Sequence, residues 1–273
     1  MRINTVCSVA LLQLKRTSLS PKAWVALFIA ALIGATAGWD HLTVAGQLGY
    51  PFQTFEPFIT LLTRRVTTVF VVVGIALMLS DAPFTDASTY YLVFRTHRRA
   101  WMIGIALHML LTCFIYLLVI LLSSVLIGLP FSYIQNQWSP LSQLLCTDQT
   151  LFRLRSHAFI NSSLINAMTP YRACFAQLGL TALYALCVCA LMLAVNARGN
   201  RAGFAFAMLF HGLMLVMHMD GHPIGSRISL FTYASLNSHF HSGLHSGASF
   251  AIFLGFALCV YGLSIGLARR MDI

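Results

Sequence analysis

The chain alternates long apolar runs with shorter polar intervals. Six runs, 23–39, 58–80, 100–129, 172–195, 202–219 and 247–268, carry almost no charge. A helix that crosses a bilayer needs about 20 mostly apolar residues, because the hydrocarbon core is about 30 Å thick and a helix rises about 1.5 Å per residue. Each run therefore reads as a spanning helix. The third would be about 45 Å long if helical throughout, so it tilts, kinks or extends past the bilayer. Ahead of the first run, Val6, Val9, Ala10 and Leu14 recur at helical spacing, followed by Lys15, Arg16 and Lys22. That pattern predicts an amphipathic helix within 1–22 lying in the membrane interface. The expected fold is an all-α integral membrane protein, one domain over 1–273, with six transmembrane helices and an N-terminal interfacial helix.

Composition agrees with this class. Of 273 residues, 58% are hydrophobic and 9% charged, against about 25% charged in soluble domains. The net charge of +10 sits at the ends of the apolar runs. Arg2, Lys15, Arg16 and Lys22, then Arg95, Arg98 and Arg99, then Arg198 and Arg201, then Arg269 and Arg270 all fall on one side of a six-span arrangement. The positive-inside rule makes that side the cytoplasm and puts both termini there. Arg64, Arg65, Arg153, Arg155, Arg172 and Arg227 fall on the other side, spread over longer segments. The intervals 130–171 and 220–246 become outer loops, and 81–100 a cytoplasmic one. No aromatic-interleaved basic patch suggests nucleic acid as a partner. "GATAG" places Ala35 and Ala37 as at a signal-peptide cleavage site; the long basic segment before it, with an apolar stretch of its own, argues against cleavage. No internal repeat is apparent.

Several chemistries are excluded by residue type. Glu56 is the only glutamate, so no H-E-x-x-H site exists. Lys15 and Lys22 are the only lysines and neither follows glycine, so the chain has no P-loop. Ser249 in "SGASF" lacks the glycine that follows a nucleophile turn and reads as a helix-start residue. Of seven cysteines, Cys113, Cys187, Cys189 and Cys259 lie in apolar runs as small hydrophobes. The spacing of Cys146 and Cys174 does not establish a bridge, and no disulfide framework is implied.

Polar residues inside apolar runs are functional candidates, because they are costly in lipid. His108 and His211 qualify, and so do Arg64 and Arg65 unless they snorkel to the outer interface. His218, His222, His239, His241 and His245 form an outer cluster whose imidazoles suit copper or zinc. Glycine and proline around Asp220 to Pro223 break the helix before His222, so His211, His218 and His222 do not share one face; no metal is the expectation.

"LLQLKRTSLSPKAWVALFIAALI" at the start, "FEPFITLL" leading through an apolar run to "LSDAPF", and R-x-x-R-R-x-W from Arg95 to Trp101 resemble the permease subunits of bacterial ABC-type exporters, in the type-2 permease class. The resemblance covers the first 130 residues, and the remainder by topology. It implies a permease in the bacterial cell membrane that pairs with a second permease subunit, the same or homologous. Separate ABC ATPase subunits would bind ATP and Mg; this chain would carry no cofactor and would be no enzyme by itself. The segment 81–100 would hold the ATPase-docking helix, with Asp81, Pro83, Phe84, Asp86, Tyr90, Tyr91, Arg95, Arg98 and Arg99 as docking candidates. Pro83 would stop the second span and Asp86 or Ser88 would cap the new helix. The segment 220–246 would hold short re-entrant helices. The long interval 130–171 departs from the family's simplest pattern. Aromatic and Met-rich bundle surface would suit an amphipathic cargo. The competing readings are a non-transporting membrane partner or assembly subunit, and a standalone proton- or metal-coupled transporter built on the histidines.

Overall fold

The computed structural model describes residues 3–82, 98–147, 160–197, 202–219, 223–242 and 246–268. These form an all-α, multi-pass membrane protein. Four helices are long and apolar enough to span a bilayer, and a bent pair brings the number to five when counted as one span.

Helix α1 (Ile3–Leu19) meets α2 (Pro21–Leu48) at Ser20, which is extended at φ −78°, ψ 129°. Proline at the first position of α2 forces this, because the residue before proline is driven out of helical space. The Trp24 indole donates to Ser18 O across the elbow at 2.9 Å. α1 then packs on α5 (Arg98–Gly128) with Val6, Val9, Ala10, Gln13 and Thr17 buried. Helical spacing foresees the first three; Gln13 and Thr17 replace Leu14 on the buried face.

α2 and α5 form the most extensive helix pair. Ala26, Ala30, Gly34 and Gly38, all buried, recur every four residues along α2. A Cβ on Gly34 would stand 2.3 Å from Ile120 O, and one on Gly38 would stand 2.6 Å from Ser124 O. "GATAG" is thus the G-x-x-x-G contact of a close helix pair, inside an unbroken helix.

The second apolar run is not one helix. α3 (Glu56–Thr63) and α4 (Arg65–Met78) meet at 90°, with Arg64 extended at φ −82°, ψ 130° between them. The expected continuous helix over 58–80 is corrected to this bent pair, with α3 lying across the end of α4. No proline or glycine marks the break, which is why the apolar pattern conceals it. α4 is held to α2 by Lys22–Asp81 at 2.7 Å and Arg64–Asp40 at 3.5 Å. Lys22 and Asp40 are about 27 Å apart along α2, close to the thickness of the hydrocarbon core. Gly74 lets α4 approach α5, where a Cβ would lie on the Tyr116 hydroxyl.

At the Asp40 end, β1 (Phe52–Gln53) pairs in parallel with β2 (Ser132–Tyr133), Phe52 opposite Ser132 and Gln53 opposite Tyr133. Together with α6 (Pro140–Thr147) and α7 (Ser162–Ala167) they make a ledge over the bundle. Its small core joins Val44, Ala45, Phe52, Leu141 and Leu145. The interval expected as an outer loop is therefore partly folded. α8 (Pro170–Asn196) follows as the most buried of the long helices. α9 (Gly203–Met219) has only 17 residues, about 26 Å. Three short helices, α10 (Pro223–Ile228), α11 (Leu230–Tyr233) and α12 (Leu236–Ser242), lead to α13 (Ser246–Ala268).

Gly34→Ala is expected to force α2 and α5 apart and cost about 1–3 kcal/mol. Gly46→Ala, whose Cβ meets nothing within 4 Å, is expected to be neutral or to stabilise by about 0.5–1 kcal/mol. Unfolding titrations of the purified protein compare the two; equal losses would refute the close-contact role of Gly34.

Candidate functional site

Helix breaks create the polar centre of this protein. A helix that stops inside an apolar bundle leaves carbonyl groups without partners, and water is not there to take them. At the α3–α4 break the carbonyls still to be satisfied are those of Leu62 and Thr63, since Arg64 O already accepts from Thr68 N at 3.1 Å. Gln177 of α8, fully buried, reaches this break with its amide. Its Nε2 donates to Leu62 O at 3.2 Å and to Ala234 O at 3.0 Å, while its Oε1 accepts from Leu236 N at 2.9 Å. Nε2 also faces Thr181 Oγ1 at 3.0 Å. One side chain thus joins α8 to the end of α3 and to the α11–α12 turn. The Thr68 hydroxyl lies 3.0 Å from both Leu62 O and Arg64 O. Ser235 Oγ faces Thr63 O at 3.5 Å.

The short helices are fixed to the bundle by imidazole–hydroxyl pairs around one aromatic side chain. Phe231 of α11, buried, packs against Tyr184, His211 and His218 with ring centroids 5.8, 5.9 and 5.3 Å away. His211 Nδ1 pairs with the Tyr184 hydroxyl at 2.7 Å, and His218 Nδ1 with Thr232 Oγ1 at 2.8 Å. Ser229 Oγ donates to Met214 O of α9 at 2.5 Å. His239 Nδ1 faces Ser235 O at 2.8 Å and Nε2 faces Ser249 Oγ at 2.7 Å. A carbonyl only accepts, so Nδ1 carries the proton and Nε2 accepts from Ser249. That order resembles a nucleophile and its base. Ser249 is fully buried, however, and in this conformation the pair acts as a tie between α12 and α13.

A second polar node lies on the ledge, outside the spanning segments. Glu56 is fully buried at the start of α3. Its carboxylate accepts from Ser139 N at 2.8 Å, Ser139 Oγ at 2.6 Å and Gln53 N at 3.2 Å. Ser139 Oγ in turn accepts from Ser142 N at 3.0 Å, capping α6. Burial raises the Glu56 pKa from 4.5 to about 6, overriding the hydrogen bonds from Ser139 and Gln53 that lower it. Burial, and then the Glu56 charge, raise the pKa of Tyr133 to about 12 and of the Cys146 thiol to about 11.

The residues singled out from sequence have several fates. His108 Nε2 pairs with Thr17 Oγ1 at 2.8 Å and ties α1 to α5. His211 sits in the aromatic cluster just described. Arg64 is half-buried against Asp40 and Arg65 is exposed, both at the end of α4. Asp81 is engaged by Lys22 and Arg99 is exposed. Arg98 opens α5. Pro83, Phe84, Asp86, Tyr90, Tyr91 and Arg95 lie outside the described residues, as do His222 and His245. Of the metal candidates, His218 and His239 point at different hydroxyls, and His241 lies on α12. Among the described residues no three His, Cys, Asp or Glu side chains gather as a metal site. Cys146 and Cys174 are both free; Cys146 Sγ donates to Ile160 O at 2.7 Å. Gln177 is the residue that sequence reasoning missed. It is the one side-chain amide in the fourth apolar run before Asn196, and its cost in lipid was the available signal.

Gln177→Leu is expected to leave the Leu62 and Ala234 carbonyls and the Leu236 N–H short of partners, a loss of about 3 kcal/mol or more in unfolding free energy. A loss no larger than that of an ordinary surface substitution, about 0.5 kcal/mol, would remove Gln177 from this role. Glu56 has a raised folded pKa, so the folded state holds its proton longer than the unfolded state. Stability is therefore expected to fall as pH rises from about 4.5 to about 6, by about 2 kcal/mol for this group. Melting curves across that window should lose this slope in Glu56→Gln; an unchanged slope would count against it.

No family model matches the chain, and no curated protein and no solved structure matches it.

Proposed function

We propose that the chain is the membrane-spanning permease subunit of a bacterial ATP-driven exporter, of the ABC type-2 permease class. The observation that carries this reading is the folded segment between α9 and α13. Three short helices there turn back onto the bundle and are fixed by Gln177, His218 and Ser229. The resemblance in sequence implies short re-entrant helices at this position. The α1 elbow, which lies against α5 before α2 begins, is a second feature in favour.

On this reading the spans are α2, α4 with α3 across its end, α5, α8, α9 and α13. Both termini face the cytoplasm of a bacterial cell, and the Lys22–Asp81 end of the bundle is the inner one. Two permease subunits pair, and separate ATPase subunits supply ATP and Mg. The segment 81–100 receives the ATPase, with Lys22 holding its first residue to the base of α2. Motion of that segment reaches the bundle through α4 and α5, which flank it and meet closely at Gly74. The cargo is amphipathic, taken up between permease subunits.

The test is purification of the tagged chain from its native membrane in mild detergent. An ATPase with a P-loop should co-purify, and Arg95→Ala/Arg98→Ala/Arg99→Ala should lower its recovery at least about tenfold, the equivalent of about 1.4 kcal/mol. An ATPase-free preparation, with the triple variant indistinguishable from the parent, would reject the proposal.

A further inference from the structure

The ledge carries a groove of about 490 Å³ between the 136–138 segment, α6, the end of α7 and the start of α8. Its walls are braced. The Trp138 indole donates to Met168 O at 2.8 Å, and Tyr171 N donates to Asn136 Oδ1 at 3.2 Å. The Tyr171 hydroxyl donates to Ile134 O. Glu56 holds Ser139 immediately beyond the segment. The groove is therefore present before any ligand arrives, which lowers the ordering cost of binding.

The lining selects a chemical class. Among the described residues it contains no carboxylate and one cation, Arg172, so a metal ion has no hard ligand set there. Anions are poorly served as well. Pro170 has no N–H to offer at the start of α8, and the Tyr171 N–H is already committed to Asn136. Side-chain amides dominate the polar wall, at Asn136, Gln137, Gln143 and Asn166. The bonds already made orient two of them. Asn136 leaves its Nδ2 as a donor, and Gln143, whose Nε2 donates to Trp138 O at 3.3 Å, leaves Oε1 as an acceptor. A donor at Asn136 and an acceptor at Gln143 on one wall match groups that donate and accept at the same atom, which are hydroxyls.

We propose that this groove binds a neutral, hydroxyl-rich ligand, a saccharide unit, through Asn136, Gln143, Asn166 and Arg172 above the Trp138 floor. This site does not depend on the transport reading, because it is built wholly from one chain and needs no ATPase. A saccharide ring lies across the groove with its hydroxyls shared among the amides and the guanidinium.

The test uses the purified chain alone, in an amine-oxide detergent that has no sugar headgroup. Maltotriose, cellotriose and chitotriose are titrated by calorimetry, with inorganic phosphate in parallel. Saturable binding of at least one trisaccharide is expected, with no comparable binding of phosphate. Gln143→Ala/Asn166→Ala should weaken the binding by about tenfold or more while the melting temperature stays that of the parent. Three outcomes would overturn the proposal: no saturable binding of any of the three sugars, sugar binding undiminished in the double variant, or phosphate binding that the double variant abolishes.

Discussion

A backbone carbonyl inside an apolar bundle must find a donor, and this one requirement organises the molecule. The bundle contains helix breaks at Arg64 and between α9 and α13, and each break frees carbonyls that water does not reach. Gln177 answers both with a single amide, donating to Leu62 O and Ala234 O and accepting from Leu236 N. Because the two breaks share one side chain, the α3–α4 angle and the position of the α11–α12 turn are set together. The hydroxyls of Thr68 and Ser229 serve the same need locally. The polar residues of the interior are therefore the means by which an irregular backbone is tolerated inside the bundle.

Around this centre the rest of the packing is made of close approaches. Small residues every four positions along α2 bring its backbone against α5, and Gly74 does the same for α4 against α5. Without a hydrophobic force between helices in lipid, such contact area and a few hydrogen bonds supply the association. The ion pairs at the two ends of α2 contribute little energy where they are exposed, on the order of 0–1 kcal/mol. Their value is positional: Lys22–Asp81 and Arg64–Asp40 place charges at either edge of an apolar band about as thick as a bilayer.

The long helical runs, the helix that precedes the first of them and the spacing of Val6, Val9 and Ala10 on its buried face were legible in the sequence. Their signals are local: charge-free length and a 3.6-residue period. The break at Arg64 was not legible, since "LLTRRVTT" contains no breaker and its partners come from elsewhere: Asp40 of α2 at Arg64, Gln177 of α8 at Leu62 O and Ser235 at Thr63 O. The histidines could be picked out as costly in lipid, but their partners Tyr184, Thr232 and Ser249 come from other helices. Thr17 displaced Leu14 from the α1 face because His108 of α5 supplies it with a polar partner.

By itself, then, the sequence determined that this is an all-α protein of long apolar helices joined by polar intervals, because hydrocarbon thickness and helical rise act on each run separately. The tertiary structure decided which run breaks, which polar side chains are ties between helices, and that the interval after α5 folds into a ledge with a groove. Those outcomes depend on partners distant in sequence: Gln177 lies 115 residues from Leu62, and Ser139 lies 83 residues from Glu56. No local pattern carries such a pairing, since the free energy of each polar group is settled only when its partner is in place.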